Sequence, residues 1–136
     1  MAFKPKKFDS GKVRTLPMGA SAVATKFGTL KFSSGYLIAG AAGDNEVDYL
    51  ALETKTAAGT DGATLCDVIP LDDIIQFEAL CATTPVQATH VGTDVDLSDN
   101  VTLDLTATTD KVFRIDAIVN ATDKLVSGHF NKPAIA

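Results

Sequence analysis

From Thr29 onward the chain sets apolar and polar residues in alternation, in short runs separated by turn residues. The period is two, not 3.6, so the pattern predicts strands rather than helices. Thr29-Leu30-Lys31-Phe32 and Tyr36-Leu37-Ile38-Ala39 flank Ser33-Ser34-Gly35, which predicts a hairpin with Gly35 at positive φ. After a loop over residues 40–45, the stretch Glu46 to Glu53 sets Val47, Tyr49 and Ala51 against Asp48, Leu50 and Leu52. One face is fully apolar and the other partly so, as in a strand inside a barrel or sandwich wall. Thr54 to Gly62 reads as a Gly- and Thr-rich loop, and Ala63 to Pro70 as a strand stopped by its proline.

Asp72 to Leu80 fits two periods. As a helix it is capped by Asp72, with Ile74, Ile75 and Leu80 near one side. As a strand it alternates Ile75, Phe77 and Ala79 against Gln76, Glu78 and Leu80. The short length and the paired β-branched residues favour the strand. Thr83 to His90 is polar and reads as a long loop. Val101, Leu103 and Leu105 then alternate with Thr102, Asp104 and Thr106, the signature of a half-buried strand. Phe113, Ile115, Ala117 and Val119 alternate with Arg114, Asp116 and Ile118, and Leu125 to Phe130 forms the last strand after a turn at Asn120 to Lys124. The expected fold is all-β: a compact β-barrel or β-sandwich-like domain over residues 15–136, preceded by an extended basic N-terminal arm over residues 1–14.

Composition supports strands and qualifies the core. The 136 residues include 19 Ala, 16 Thr and 10 Gly, no Trp and 2 Tyr. Thr-rich, Gly-punctuated chains favour strands and turns, and small side chains leave few anchors for a self-sufficient core. These features point to a soluble β domain helped by something it binds. No run approaches the roughly 18 apolar residues of a membrane-spanning helix. The first residues are basic with no apolar stretch behind them, unlike a secretory signal.

Charge divides the chain in two. Residues 1–14 hold Lys4, Lys6, Lys7, Lys12 and Arg14 against Asp9, a balance of +4. The remaining 7 basic and 16 acidic residues give −9, for the net −5 of the whole. Such asymmetry marks the arm as a segment with a partner of its own. Phe3 and Phe8 sit among these charges without a helical or strand period, and are unusual in a purely solvated tail. The expected binding set is therefore Phe3, Lys4, Lys6, Lys7, Phe8, Lys12 and Arg14. Nucleic acid is a poor partner, because the acidic body repels phosphate and five charges make a thin footprint.

Candidate chemistry is sparse. Gly40 to Gly43 lacks the Lys-Ser/Thr of a phosphate-binding loop. Asp94, Asp96 and Asp99 lack the glycine and closing glutamate of a calcium loop, and read as a solvated turn. Asp72, Asp73 and Glu78 offer carboxylates with no nucleophile–base–orienter arrangement beside them. His90 and His129 have no Cys or acidic partners at metal-ligand spacing. Cys66 and Cys81 read as small buried hydrophobes, with a Cys66–Cys81 bridge as the alternative. Asn120-Ala121-Thr122 matches a glycosylation acceptor but reads as a turn. The sequence thus predicts no catalytic, cofactor-binding or metal site and no membrane contact.

The order of these signals carries a resemblance. The chain resembles the small decoration (capsid cement) proteins of tailed bacteriophages through Lys26-Phe27-Gly28-Thr29-Leu30, Ser33-Ser34-Gly35-Tyr36-Leu37 and Ala51-Leu52-Glu53 with its Gly-rich loop. It continues with Val68-Ile69-Pro70, Phe77-Glu78-Ala79, Val91-Gly92-Thr93-Asp94-Val95-Asp96-Leu97 and Gly128-His129-Phe130-Asn131. Together these pieces span roughly residues 20–131. The usual wording has Gly directly after the Lys of the first piece, whereas here Phe27 intervenes. The resemblance implies a β-barrel-like fold and a non-enzymatic structural protein. It also implies binding to the major capsid protein on the outer surface of a virion assembled in the bacterial cytoplasm, and self-association as a trimer at local threefold positions. The alternative class is a β-rich binding module for a glycan or other surface ligand in a phage or secreted assembly. The lack of Trp weighs against it, since sugar sites usually present exposed Trp or Tyr.

Overall fold

Short alternating runs become short strands in the computed structural model, which describes residues 3–6, 12–71 and 76–131. In chain order they are β1 (Lys4–Pro5), β2 (Arg14–Pro17), β3 (Val23–Ala24), β4 (Thr29–Ser33), β5 (Tyr36–Ala39), β6 (Tyr49–Ala51) and β7 (Lys55–Thr56). They continue with β8 (Leu65–Pro70), β9 (Phe77–Cys81), the helical turn α1 (Gln87–His90), β10 (Asp94–Leu97), β11 (Thr102–Asp104), β12 (Phe113–Asn120) and β13 (Leu125–Phe130).

One sheet runs β1-β9-β11-β10-β12-β13, and β13 pairs again with β9. Five strands therefore close into a small barrel, which removes their free edges. β9 shares one of its edges between two partners: β1 opposite Phe77 and Glu78, and β11 in parallel opposite Leu80 and Cys81. A second sheet, β2-β8-β6-β4-β5, curls until Met18 bridges to Leu37 on its far strand. A β3–β7 ribbon completes the strands. In the β4–β5 hairpin, Ser34 and Gly35 both take positive φ (52° and 86°) between the paired Ser33 and Tyr36. That is the two-residue turn whose twist matches the strands.

The middle of the second sheet faces two cores. On β8, Cys66 and Val68 join a cluster with Met18, Leu30, Leu37 and Ala51, whereas Ile69 joins the larger cluster inside the barrel. β6 splits likewise, with Leu50 toward the barrel and Ala51 toward the smaller cluster. The barrel core is organised by four phenylalanines. Phe130 lies 4.9 Å from Phe3, 5.2 Å from Phe77 and 5.0 Å from Phe113, ring centre to ring centre. Gly128 permits this packing, because a Cβ there would lie 1.9 Å from the Arg114 carbonyl oxygen and 2.7 Å from the Phe113 ring.

The described residues of the N-terminal segment, 3–6 and 12–14, pack on this architecture, which differs from the expectation of an arm kept for a separate partner. Phe3 is fully buried and donates its N–H to the Phe27 carbonyl at 2.9 Å. Lys6 N–H donates to the Gln76 carbonyl, also at 2.9 Å. Arg14, taken as the end of the arm, opens β2 opposite Val68. Both ladders keep one register: Lys4 opposes Glu78 and Pro5 opposes Phe77, and ten residues on, Arg14 opposes Val68 ten residues back. The segment is thus stitched to both sheets by the same stretch of chain, 65–81. An aromatic ring has more to gain in the barrel than in water, about 1.5–3 kcal/mol for its burial alone.

Other expectations shift by identifiable causes. The strand from Glu46 to Glu53 is reduced to Tyr49–Ala51, and Val47 falls on the side of Leu50 because the chain before Tyr49 is not pleated. In β12 the alternation holds for Phe113 and Ile115, then fails: register shifts after Ile115 and Ile118 leave Ala117 and Val119 exposed. The loop from Thr54 contains β7, and the loop from Thr83 contains α1. Asp94 and Asp96 lie in β10 rather than in a turn. Phe77 to Leu80 is strand, as expected, with Phe77 and Ala79 inward; Asp72 to Ile75 lie outside the described residues.

Phe3→Ala tests the stitching. Deleting a core phenylalanine costs about 3–5 kcal/mol, so urea unfolding of this variant should show a loss of that size. A loss under about 1 kcal/mol, ordinary for a surface substitution, would contradict the placement.

Candidate functional site

Alternation in the N-terminal segment sorts its residues. Phe3 is buried in the barrel core and Pro5 is half-buried, while Lys4 and Lys6 face out, both exposed. The same outward face carries Gln76 and the half-buried Glu78 of β9, with Glu78 directly across from Lys4. Lys4, Pro5, Lys6 and Glu78 line an open depression of about 240 Å³. Pro5 limits how a partner meets this edge. With Lys6 giving its N–H inward to Gln76, the position without an N–H falls on the open side. A further strand cannot zip onto β1 through a full ladder, so contact there runs through side chains.

The sequence-derived binding set is thereby divided. Lys4 and Lys6 are brought together. Lys12 and Arg14 are also exposed, at the edge of the second sheet, where the Arg14 guanidinium Nη1 donates to the Lys12 carbonyl at 3.2 Å. None of these four cations forms an ion pair with a described residue. Phe3, expected among the binding residues, is withdrawn into the core instead. Lys7 and Phe8 lie outside the described residues.

Beyond Glu78, the outward barrel face bears a polar network the sequence reading missed. Gln76 Nε2 donates to Asp116 Oδ2 at 3.2 Å, and His129 Nδ1 lies 3.2 Å from the same oxygen. Arg114, paired across the ladder with His129, holds Asp94 at 3.1 Å, and Asn131 Nδ2 donates to the other Asp94 oxygen at 3.0 Å. These contacts fix β9, β10, β12 and β13 to one another. A second missed feature is Phe32, 46 % exposed, with Tyr49 edge-on at 5.6 Å.

The acidic residues have structural employment. Asp96, nearly buried, accepts the backbone N–H groups of Asp110 and Lys111 at 2.8 and 2.9 Å and so pins that loop. Asp99 accepts from Val101 N–H at 2.8 Å. Thr106 donates its hydroxyl and N–H to Asp104, holding that carboxyl below its usual range, while partial desolvation and then nearby Asp96 push Asp110 up. Among the described residues no three His, Cys, Asp or Glu side chains converge as metal ligands. His90 Nδ1 accepts the Val86 N–H at 2.8 Å and closes the turn of α1. Asn120 Oδ1 accepts from Asp123 N–H at 3.1 Å in the β12–β13 turn.

Cys66 and Cys81 are free thiols, and they belong to different clusters. Burial pushes each thiol up to about 11, leaving little thiolate near neutral pH. In the folded protein both should resist a thiol-specific reagent at about pH 8 and react together once unfolded. One equivalent reacting fast in the native state would contradict this.

Compared with family models, with curated proteins and with solved structures, the chain matches none.

Proposed function

We propose that the protein is a non-enzymatic decoration protein, which attaches to the outer surface of a bacteriophage capsid and stabilises it. The observation that carries this reading is the charge layout: exposed cations at Lys4, Lys6, Lys12 and Arg14 that form no ion pair with a described residue, on a body whose balance is −9. Exposed cations gathered in one segment of an otherwise anionic chain orient the protein as it approaches an acidic surface and discourage other orientations.

The segments that carry the resemblance are also consistent with one β-architecture. Ser33-Ser34-Gly35 makes the β4–β5 turn, Phe27 supplies the carbonyl that receives Phe3, and Gly128, Phe130 and Asn131 serve close packing, core and clasp. Each exposed ion pair contributes only about 0.2–1 kcal/mol. Attachment therefore depends on several such contacts acting together, and the trimer implied by the resemblance would multiply them.

A second reading, a glycan-binding module, is favoured by the exposed Phe32 backed by Tyr49. Stacking on sugar there would be lost in Phe32→Ala, whereas capsid attachment through the basic face would not.

Co-sedimentation with undecorated bacteriophage capsids tests the proposal. Saturable binding that weakens as salt rises is expected. Failure to co-sediment at micromolar concentration and low salt would overturn it.

A further inference from the structure

We propose that the depression lined by Lys4, Pro5, Lys6 and Glu78 receives an extended acidic segment of the partner protein, with two of its carboxylates seated on Lys4 and Lys6. The inference rests on the basic face being a contact surface and names the chemistry it recognises.

Lys4 and Lys6 are two residues apart, on either side of Pro5, and both line the depression with it. Their stems therefore rise from one face about 6.6–6.8 Å apart. Alternate residues of any extended segment have the same repeat, so acidic side chains at two alternate positions meet both ammonium groups without strain. The edge is also blunted: Pro5 denies a full backbone ladder, so affinity and selectivity come from side chains. At about 240 Å³ the depression is smaller than the roughly 300–1,000 Å³ of small-molecule sites, and suits side chains rather than a cofactor. Glu78 sets the sign and limit of the interaction. It faces Lys4 across the ladder and competes for it, yet leaves the pair of lysines with an excess positive charge.

Nucleic acid is the less favoured occupant. A polyanion laid across this edge would run on beyond Glu78 over the acidic body, whereas a short acidic segment meets one opposing carboxylate, Glu78, against two lysines.

The test is an amide-shift titration of the full-length protein with a capped alternating Glu-Thr hexapeptide at low salt. An alternating Lys-Thr peptide and a single-stranded oligonucleotide serve as comparisons. Shifts should centre on the amides of Lys4, Lys6 and Glu78. Lys4→Gln and Lys6→Gln should each weaken binding by up to about fivefold, and Glu78→Gln should strengthen it, because a competing charge is removed. The last variant keeps the test decisive should a lysine variant undock β1. Shifts elsewhere, no response to these substitutions, or an equal response to the oligonucleotide would overturn the proposal. Capsid co-sedimentation that survives Lys4→Gln with Lys6→Gln would overturn it too, while leaving the decoration function standing.

Discussion

The contact of Phe130 with three other rings is the constraint on which the rest of the fold depends. Phe3, Phe77 and Phe113 come from the N-terminus, β9 and β12, and each meets Phe130 within 5.2 Å of its centre. A chain without Trp and rich in Ala and Thr has few side chains large enough to fill a barrel. Aromatic pairs add about 0.5–1.5 kcal/mol each beyond burial. The barrel therefore recruits Phe3 from the far end of the chain, and Gly128 gives way so that the β12–β13 hairpin can close on it.

Docking Phe3 has a consequence for the surface. Strand alternation means that a phenylalanine turned in at position 3 turns Lys4 and Lys6 out. The same segment thus completes the core on one side and presents cations on the other. Folding and the proposed recognition are thus coupled through residues 3–6, and the basic face is held against β9. A preformed face loses little conformational entropy on binding, whereas a free arm loses roughly 1–2 kcal/mol per ordered residue.

The β character was legible in the sequence wherever local pattern and tertiary role agree. Ser33-Ser34-Gly35 specified its turn, the alternations around Leu103 and in Phe77 to Leu80 specified half-buried strands, and Leu125 to Phe130 formed the expected last strand. It misled where the pleat breaks. The bulges of β12 reverse the sidedness of Ala117 and Val119, and nothing in their composition announces a bulge. Two-residue strands such as β3 and β7 are too short to carry a period. Of the site, the cations were visible as a charge cluster. The burial of Phe3 was not, because its partners Phe77, Phe113 and Phe130 lie far along the chain, and a lone Phe among lysines reads the same whether it faces a neighbour or its own core. The Gln76–Asp116–His129 contact is likewise a product of register between strands, which single-strand patterns do not encode.

The central claim is that the N-terminal segment is seated in the domain before any partner arrives. Native-state hydrogen exchange at the amides of Phe3 and Lys6 tests it most directly, since these donate to the carbonyls of Phe27 and Gln76. In the isolated protein both should be protected by at least about a hundredfold, as bonded strand amides are relative to open chain. Exchange of both at the rate of an unstructured peptide, with β9 amides still protected, would show that the segment is free in solution and contradict the account.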